Sequence, residues 1–419
     1  MYKQYFKLAL QSIRENPLVS TISISGTALS IAMIMVVILL FQIKAANYAP
    51  ETKRDRMLYA QGVQVEAKAE QSRNRGGMSS EVVRECFYSL ETPEAVTAFA
   101  GENKPVSLPG KRLYNNYQIK YTDPGFWTVF EFKFISGKPF DQADFASGIC
   151  AAVISEKFAR EVFGTTDATG KTCILNFTEY TIKGVVKNVT KAATDAYAEM
   201  WAPYTSKSSL IQINNYAENM TGYFATQILA KKQSDFKSIE EELLKRTEAY
   251  NAGKKDFSIS FLHNPIKKID IAMGSNWNSK VSASTYILST GAFLLFLLLV
   301  PTLNLTGVIQ SSIQKRQEEI GVRKSFGATS GNILYQILCE NLVLTLIGAV
   351  LGLFLSIFLL WLCKSFLLSD QTELTSEMLF KPIFFIVALA FTFLINILCS
   401  GIPAFQMSRK KIIDVLINK

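Results

Sequence analysis

Gln314-Lys315-Arg316-Gln317-Glu318-Glu319-Ile320-Gly321-Val322-Arg323-Lys324-Ser325-Phe326-Gly327-Ala328 lies between two long apolar runs, 286–309 and 333–362. Hydrocarbon does not solvate a block this charged, so it reads as a connection at a membrane surface. Glu318 and Glu319 precede Arg323 and Lys324 at helical spacing, the order that suits both i,i+4 pairing and the helix dipole. Ile320 and Phe326 interrupt the charges with apolar contacts, and Gly327 ends the helix just before the next apolar run. Two readings follow: a charged loop that keeps two spans apart, or a short helix against which something docks.

Working outward, apolar residues concentrate in four runs, 18–41, 286–309, 333–362 and 382–403. Each is longer than the ~18 to 20 residues that cross hydrocarbon at ~1.5 Å per residue. Four spans put both termini on one side. Lys3, Lys7 and Arg14 precede the first span, Lys315, Arg316, Arg323 and Lys324 separate the second and third, and Arg409, Lys410, Lys411 and Lys419 follow the fourth. By the positive-inside rule the termini and the 314–328 loop are cytoplasmic and the 44–283 insert is outside. The first run, behind a polar leader, reads as an uncleaved signal-anchor. Residues 1–17 alternate aromatic and aliphatic positions (Tyr2, Phe6, Leu10, Ile13) with Lys3, Lys7 and Arg14, an amphipathic helix lying on the inner membrane face.

The net charge of +9 comes mostly from this topology, because the insert carries 31 Lys and Arg against 27 Asp and Glu. Nothing in that balance points to nucleic acid. Of the six cysteines, Cys86, Cys150 and Cys173 are in the insert, and that odd number defines no closed disulfide framework; a Cys150–Cys173 bridge stays open. The single histidine, His263, excludes a multi-histidine metal site within one chain. Gly164-Thr165-Thr166-Asp167-Ala168-Thr169-Gly170-Lys171-Thr172 imitates a phosphate-binding loop but has five residues between its glycines where that motif has four. No catalytic constellation, cofactor motif or metal site emerges.

Inside the insert, 81–90 and 238–252 are patterned as helices, and 62–67, 113–121, 179–186 and 257–261 as strands. An α+β domain is expected, with 46 onward starting as a helical extension of the first span, and with turn clusters at 105–110 and 190–195 as joints between a lobe built from both ends and a central lobe of roughly 111–190. Ser155 is placed to N-cap a helix over 156–162. Within the spans, small and hydroxylated residues over 20–30 and the Gly348-x-x-x-Gly352 spacing suit close helix packing. Asn304, three residues after Pro301, needs a partner in the bundle, and Glu340 is an acid one to two turns into the third span.

Arg316, Glu319-Ile320-Gly321-Val322-Arg323-Lys324 and Gly327-Ala328 resemble, nearly residue for residue, the cytoplasmic coupling loop of the FtsX/MacB-like permeases of ABC systems, which carries a helix that sits in a groove of the ATPase. Asp123-Pro124-Gly125-Phe126-Trp127, Ser136-Gly137-Lys138-Pro139-Phe140, Ala152 to Glu156 and Tyr180 to Val186 look like the periplasmic core domain of the same family, through about seventy residues. The tail after 405 resembles the family's last cytoplasmic helix, although Ile412 stands where many members have proline. The resemblance implies a membrane α-helical protein of four transmembrane helices plus an α+β extracytoplasmic domain inserted between the first and second spans. In order, it implies an interfacial helix (1–17), a span (18–43), the outer domain (44–283), a span (284–309), the coupling loop (310–332), a span (333–362), a short outer loop (363–381), a span (382–405) and a cytoplasmic tail (406–419). It implies Arg316, Glu318, Glu319, Ile320, Gly321, Arg323, Lys324, Gly327 and Ala328 as the ATPase-coupling residues, with Asn304 and Glu340 as the intramembrane polar residues and Glu340 coupled to the loop. It also implies a multi-pass protein of a bacterial inner membrane with a periplasmic outer domain. The partners are a separate cytoplasmic ATPase, where ATP hydrolysis resides, a second permease as homodimer or paralogue, an outer adaptor or substrate protein, and membrane lipid. The function implied is transmission of ATP-driven motion to the outer domain. A membrane-anchored receptor without energy coupling is the alternative, and it has no use for so dense an inner docking block.

Overall fold

A computed structural model describes residues 17–69, 72–108, 115–211, 219–296, 321–323 and 325–367, with isolated residues between 383 and 405. It divides into two compact units, one holding the apolar helices and the other the insert from Ile43 to Ala283.

In the first unit, α1 (Pro17–Ala45) contains a 26-residue stretch apolar enough to cross a membrane. A later helix, labelled α5 below (Ser330–Leu367), contains a second such stretch of 32 residues. Residues Ala283–Phe296 form a shorter apolar helix, and Tyr286 sets its ring 5.8 Å from Phe41 of α1. The remainder of the expected second span, Asn304 and most of the fourth span lie outside the described residues, as do 1–16 and the tail. The small residues behave as their spacing predicts. Gly348 and Gly352 of α5 lie against Ile24, Thr27, Ala28 and Ile31 of α1, so closely that a Cβ on Gly348 would stand 2.8 Å from that of Thr27 and one on Gly352 2.7 Å from the Ala28 carbonyl. Ser20, Ser23, Thr27 and Ser30 are buried, as close helix packing requires.

The second unit is a mixed α/β domain. Its strands are β1 (Met57–Ala60), β2 (Val63–Ala67), β3 (Arg73–Met78), β4 (Ala95–Ser107), β5 (Asn115–Thr122), β6 (Phe134–Gly137), β7 (Ala151–Ser155), β8 (Thr172–Leu175), β9 (Thr178–Val186), β10 (Met200–Pro203), β11 (Thr221–Gly222), β12 (Ala225–Leu229), β13 (Phe257–Ser260) and β14 (Ile266–Lys267). The larger sheet runs β14-β1-β12-β4-β5-β10-β7-β9-β6, with β8 joined to β4 and β9; a smaller one runs β11-β3-β2-β13. Three helices matter here, α2 (Glu156–Phe163), α3 (Phe236–Ala252) and α4 (Lys268–Ala272). Ser155 caps α2 as its sequence predicts, accepting the Phe158 N–H at 3.1 Å.

Two hydrophobic cores share the larger sheet. One, around Leu58, Phe87, Ile228, Ile239 and Phe261, draws on both ends of the insert. The other, around Ile119, Ile154, Phe158, Ile182 and Met200, is central. The expected joints are different. β4 runs through Pro105, which pairs with Asn116, and ends at Ser107, so the expected 105–110 turn cluster begins inside a strand, and 109–110 lie outside the described residues. Proline is accommodated there because a strand residue whose N–H faces away from the ladder loses no hydrogen bond. The expected helical extension beyond the first span is also absent: α1 ends at Ala45, for a reason given below. Cys150 and Cys173 are unbridged.

Candidate functional site

Only part of the predicted coupling loop is described. Arg316, Glu318, Glu319, Ile320 and Lys324 lie outside the described residues, whereas Gly321, Val322, Arg323 and Ser325 to Ala328 lie within them. Residues 321–323 and Ser325 are helical, and the turn closes as a glycine C-cap. Gly327 takes φ +92°, and the Ala328 N–H reaches back to the Arg323 carbonyl at 3.0 Å, satisfying a carbonyl that a helix end otherwise leaves unpaired. Thr329 then accepts the Asn332 N–H on its hydroxyl at 3.3 Å and starts α5. Two helices thus meet at a tight elbow.

The elbow is braced from one side. Arg323 donates to Gln336 Oε1 at 2.7 Å, and Gln336 donates to Glu340 Oε1 at 3.2 Å, so the loop arginine reaches the acid in α5 through one amide. On the other side it is open: Phe326 is 88% exposed, Val322 is 49% exposed, and Arg323, Phe326, Ala328, Ile333 and Gln336 line a shallow hollow of about 420 Å³. An exposed aromatic ring beside a polar frame has the chemistry of an anchor for another surface.

A second cluster, where α1 enters the insert, has no sequence signal of its own. The Arg54 guanidinium is buried and donates to the carbonyls of Ile43 (3.2 Å) and Ala46 (2.8 Å), to the Tyr48 hydroxyl (2.6 Å) and to the Ala192 carbonyl (3.4 Å). Its Nε pairs with Glu51 at 2.5 Å. A cation at the carbonyl end of a helix complements the dipole and takes up unpaired acceptors, which is why α1 stops at Ala45. Glu51 further faces Lys268 at 3.5 Å and accepts the Ala196 N–H at 3.2 Å, and Lys268 pairs with Asp195 at 3.1 Å. Burial would raise the Glu51 carboxyl, but Lys268 and Arg54 outweigh it and hold it below its ordinary range. Burial pushes the Tyr48 phenol up to about 12 and lowers Lys120, which donates to the Thr194 and Asp195 carbonyls, to about 8. The 190–195 segment, expected to be a joint, is therefore tied into a buried ionic cluster.

The Asp123 motif is structural. Its carboxylate accepts from Ala98 N (2.7 Å), Thr97 Oγ1 (3.0 Å), Phe126 N (3.1 Å) and the Tyr88 hydroxyl, and burial raises its pKa. His263 lines a cleft of about 660 Å³ between α3 and the 259–280 segment.

Residues 20–246 match the MacB-like periplasmic core domain, and residues 291–412 match the FtsX-like permease C-terminal domain. The chain is 24% identical to an uncharacterized ABC transporter permease, YknZ, of Bacillus subtilis, over 83% of each protein. It is 25% identical to the macrolide export ATP-binding/permease protein MacB of Pasteurella multocida and 24% identical to MacB 2 of Aeromonas hydrophila, covering 73% and 75% of this chain but 44% and 46% of those relatives. The crystallised extracellular domain of YknZ from Gram-positive bacteria aligns over 48% of this chain at 16% identity with a TM-score of 0.35. With a core-domain match that covers more than half of its length, followed by the permease C-terminal match, the chain belongs to the MacB/FtsX-like family of ABC transporter permeases.

Proposed function

We propose that this chain is the membrane subunit of an ABC system whose ATPase is a separate cytoplasmic polypeptide, and that the 314–328 loop, from Arg316 through Glu318, Glu319, Ile320, Gly321, Arg323 and Lys324 to Gly327 and Ala328, is the surface on which that ATPase docks. The observation that carries the reading is the elbow itself: Phe326 stands exposed while Arg323 is fixed through Gln336 to Glu340. Such an elbow offers an apolar anchor on a frame tied to a membrane helix, and a push on the loop is passed into α5. The match to a relative described as an ABC transporter permease, over 83% of each protein, supports the permease part of this reading.

In this reading α1, α5 and the spans at 284–309 and 382–405 cross a bacterial inner membrane with both termini cytoplasmic. The 44–283 domain is outside, and two permeases pair over an ATPase dimer as a homodimer or with a paralogue. Closure of the ATPase drives the loop, and the spans convey that motion to the outer domain, which handles its substrate or adaptor protein there. Asn304 serves as a contact within the bundle. The experiment is affinity purification of the intact chain and of Glu319→Ala/Arg323→Ala from native membranes. An ABC ATPase that accompanies the intact chain and is lost from the variant is the expected result; its absence from both in mild detergent leaves a receptor without energy coupling as the better description.

A further inference from the structure

The foot of the outer domain is basic in a way the domain as a whole is not. The Pro50 carbonyl, five residues beyond the end of α1, accepts the Glu131 N–H at 2.9 Å, and the Lys133 carbonyl accepts the Lys187 N–H at 2.9 Å. Ala192, whose carbonyl bonds Arg54, follows Lys191. Lys133, Lys187 and Lys191 are therefore gathered within a few residues of the point where α1 ends. With the 26-residue apolar stretch of α1 read as a span that ends at Ala45, the chain just beyond it comes to the depth of lipid headgroups.

The acids of this region are engaged elsewhere: Asp55, exposed, accepts from the Asn47 amide at 2.8 Å rather than from a cation. Glu131 pairs with Lys53 at 2.9 Å and accepts from Thr52 at 2.7 Å; Glu51 is buried against Arg54 and Lys268; Asp195 pairs with Lys268; and Glu199 accepts the Gln118 N–H at 3.0 Å. Among the ion pairs of the described residues none joins a carboxylate to Lys133, Lys187 or Lys191, and Lys133 and Lys187 are exposed. Among the described residues these three cations have no carboxylate partner, Lys191 lying instead over the Tyr197 ring at 5.4 Å, and they are held at the end of the sheet, whereas the insert overall carries only 31 bases against 27 acids. We propose that this rim of Lys133, Lys187 and Lys191 seats on the anionic phospholipid headgroups of the outer leaflet, using them as its missing counter-charges. Each lysine at an anionic membrane surface is worth about fivefold in binding, and the long side chain lets the amine reach the phosphates. The proposal rests on α1 spanning the membrane and not on ATPase docking, so a failed co-purification leaves it standing.

The test is backbone hydrogen exchange of the full chain in nanodiscs of phosphatidylcholine alone or with about one third phosphatidylglycerol, a composition near that of anionic bilayers. Peptides covering 130–134 and 186–192 are expected to exchange several-fold more slowly in the anionic discs. That difference should shrink in high salt and vanish in Lys133→Glu/Lys187→Glu and in the gentler Lys133→Gln/Lys187→Gln, while β1 and β12 exchange as before and show that the domain is folded. Reading these peptides separates the rim from the basic cytoplasmic segments, which meet the other leaflet. Equal exchange in the two discs, the result if the rim serves an acidic protein instead, overturns the proposal, as does slowing that survives both variants.

Discussion

Two charge systems in this molecule are built in opposite ways. Around Arg54, ionic groups are buried and closed on one another: Arg54 and Glu51 have fully buried side chains, and Lys268 and Asp195 complete the set. Around Arg323, hydrogen bonds run through Gln336 to Glu340 beside a flank on which Phe326 is almost wholly exposed. The first arrangement is the kind a fold needs, because each member of a buried ionic set depends on the others being present. The second leaves binding capacity unspent. The contrast separates residues that hold the structure from residues that are available to a partner, and it yields tests of decreasing size.

The largest effect is expected at the closed cluster. Arg54→Ala leaves Glu51 with a weakened set of partners and the carbonyls of Ile43 and Ala46 without a donor, and should cost about 3–5 kcal/mol of outer-domain stability. The loss is readable as a lowered thermal midpoint of the purified full chain, with the buried Trp201, which donates to the Ala196 carbonyl beside the cluster, as the fluorescent probe. Arg54→Met/Glu51→Leu should recover much of it, since an apolar pair removes both the charge and the need for a counter-charge. A single variant as stable as the parent would mean that water reaches this cluster freely.

Lys120 gives the same cluster a pH signature. Its folded pKa, lowered to about 8 by burial, lies below that of an unfolded lysine near 10.4, so between those values the unfolded chain holds more protons. Stability contributed by this group is therefore least below pH 8 and rises as pH climbs through the folded value toward the unfolded one, by on the order of 3 kcal/mol in total. The tyrosines oppose this at higher pH. Tyr48, raised to about 12, adds stability that is fully present below pH 10 and is lost as pH rises toward 12. The measurement is the difference in unfolding free energy between the parent and Lys120→Met from pH 7 to 10. A flat difference would place a charged lysine there throughout.

Smaller still is the effect at the contact between α1 and α5. Gly348→Ala puts a methyl 2.8 Å from the Thr27 Cβ, and overpacking of this kind should cost about 1–3 kcal/mol, seen as a lower thermal midpoint in detergent. Gly331, near the start of α5 with only the Thr329 hydroxyl near its Cβ position, serves as the control.

These contrasts also show what a sequence makes legible. Ser155 before an amphipathic run, Gly327 after a charged helix, and the alternation in 179–186 are local signals, and the structure realises each where it was read. The closed cluster is different. Glu51 and Arg54 have an ordinary i,i+3 spacing that would suit a solvated pair, and what makes them a buried clamp is Ala192, 138 residues away, together with Lys268 and Asp195. For the same reason 190–195, rich in turn-forming residues, looks like a hinge in sequence and is an anchor in space. Pro105 misleads in the opposite sense, since a proline that keeps its bare nitrogen off the ladder passes inside a strand. Glu340 was readable as an acid in an apolar run, but not its link through Gln336, because glutamine four residues away is unremarkable in any helix.

The smallest effect on stability carries the most about function. Phe326→Ala removes a ring that is 88% exposed, so the thermal midpoint should stay close to that of the parent, within about 0.5 kcal/mol. If the ring is the anchor of the ATPase interface, its truncation should weaken binding of the partner ATPase about tenfold or more, as central aromatic anchors do. Measured on the purified full chain with its partner ATPase titrated in, this combination of unchanged stability and lost binding is the inverse of what Arg54→Ala should give. Val322→Ala, also exposed and apolar but smaller, should fall between parent and Phe326→Ala in affinity. Two outcomes would count against the docking surface: ATPase affinity untouched by Phe326→Ala, or a fall in affinity matched by a fall in thermal midpoint, which would make Phe326 part of the fold of the elbow and leave the exposed ring without a partner.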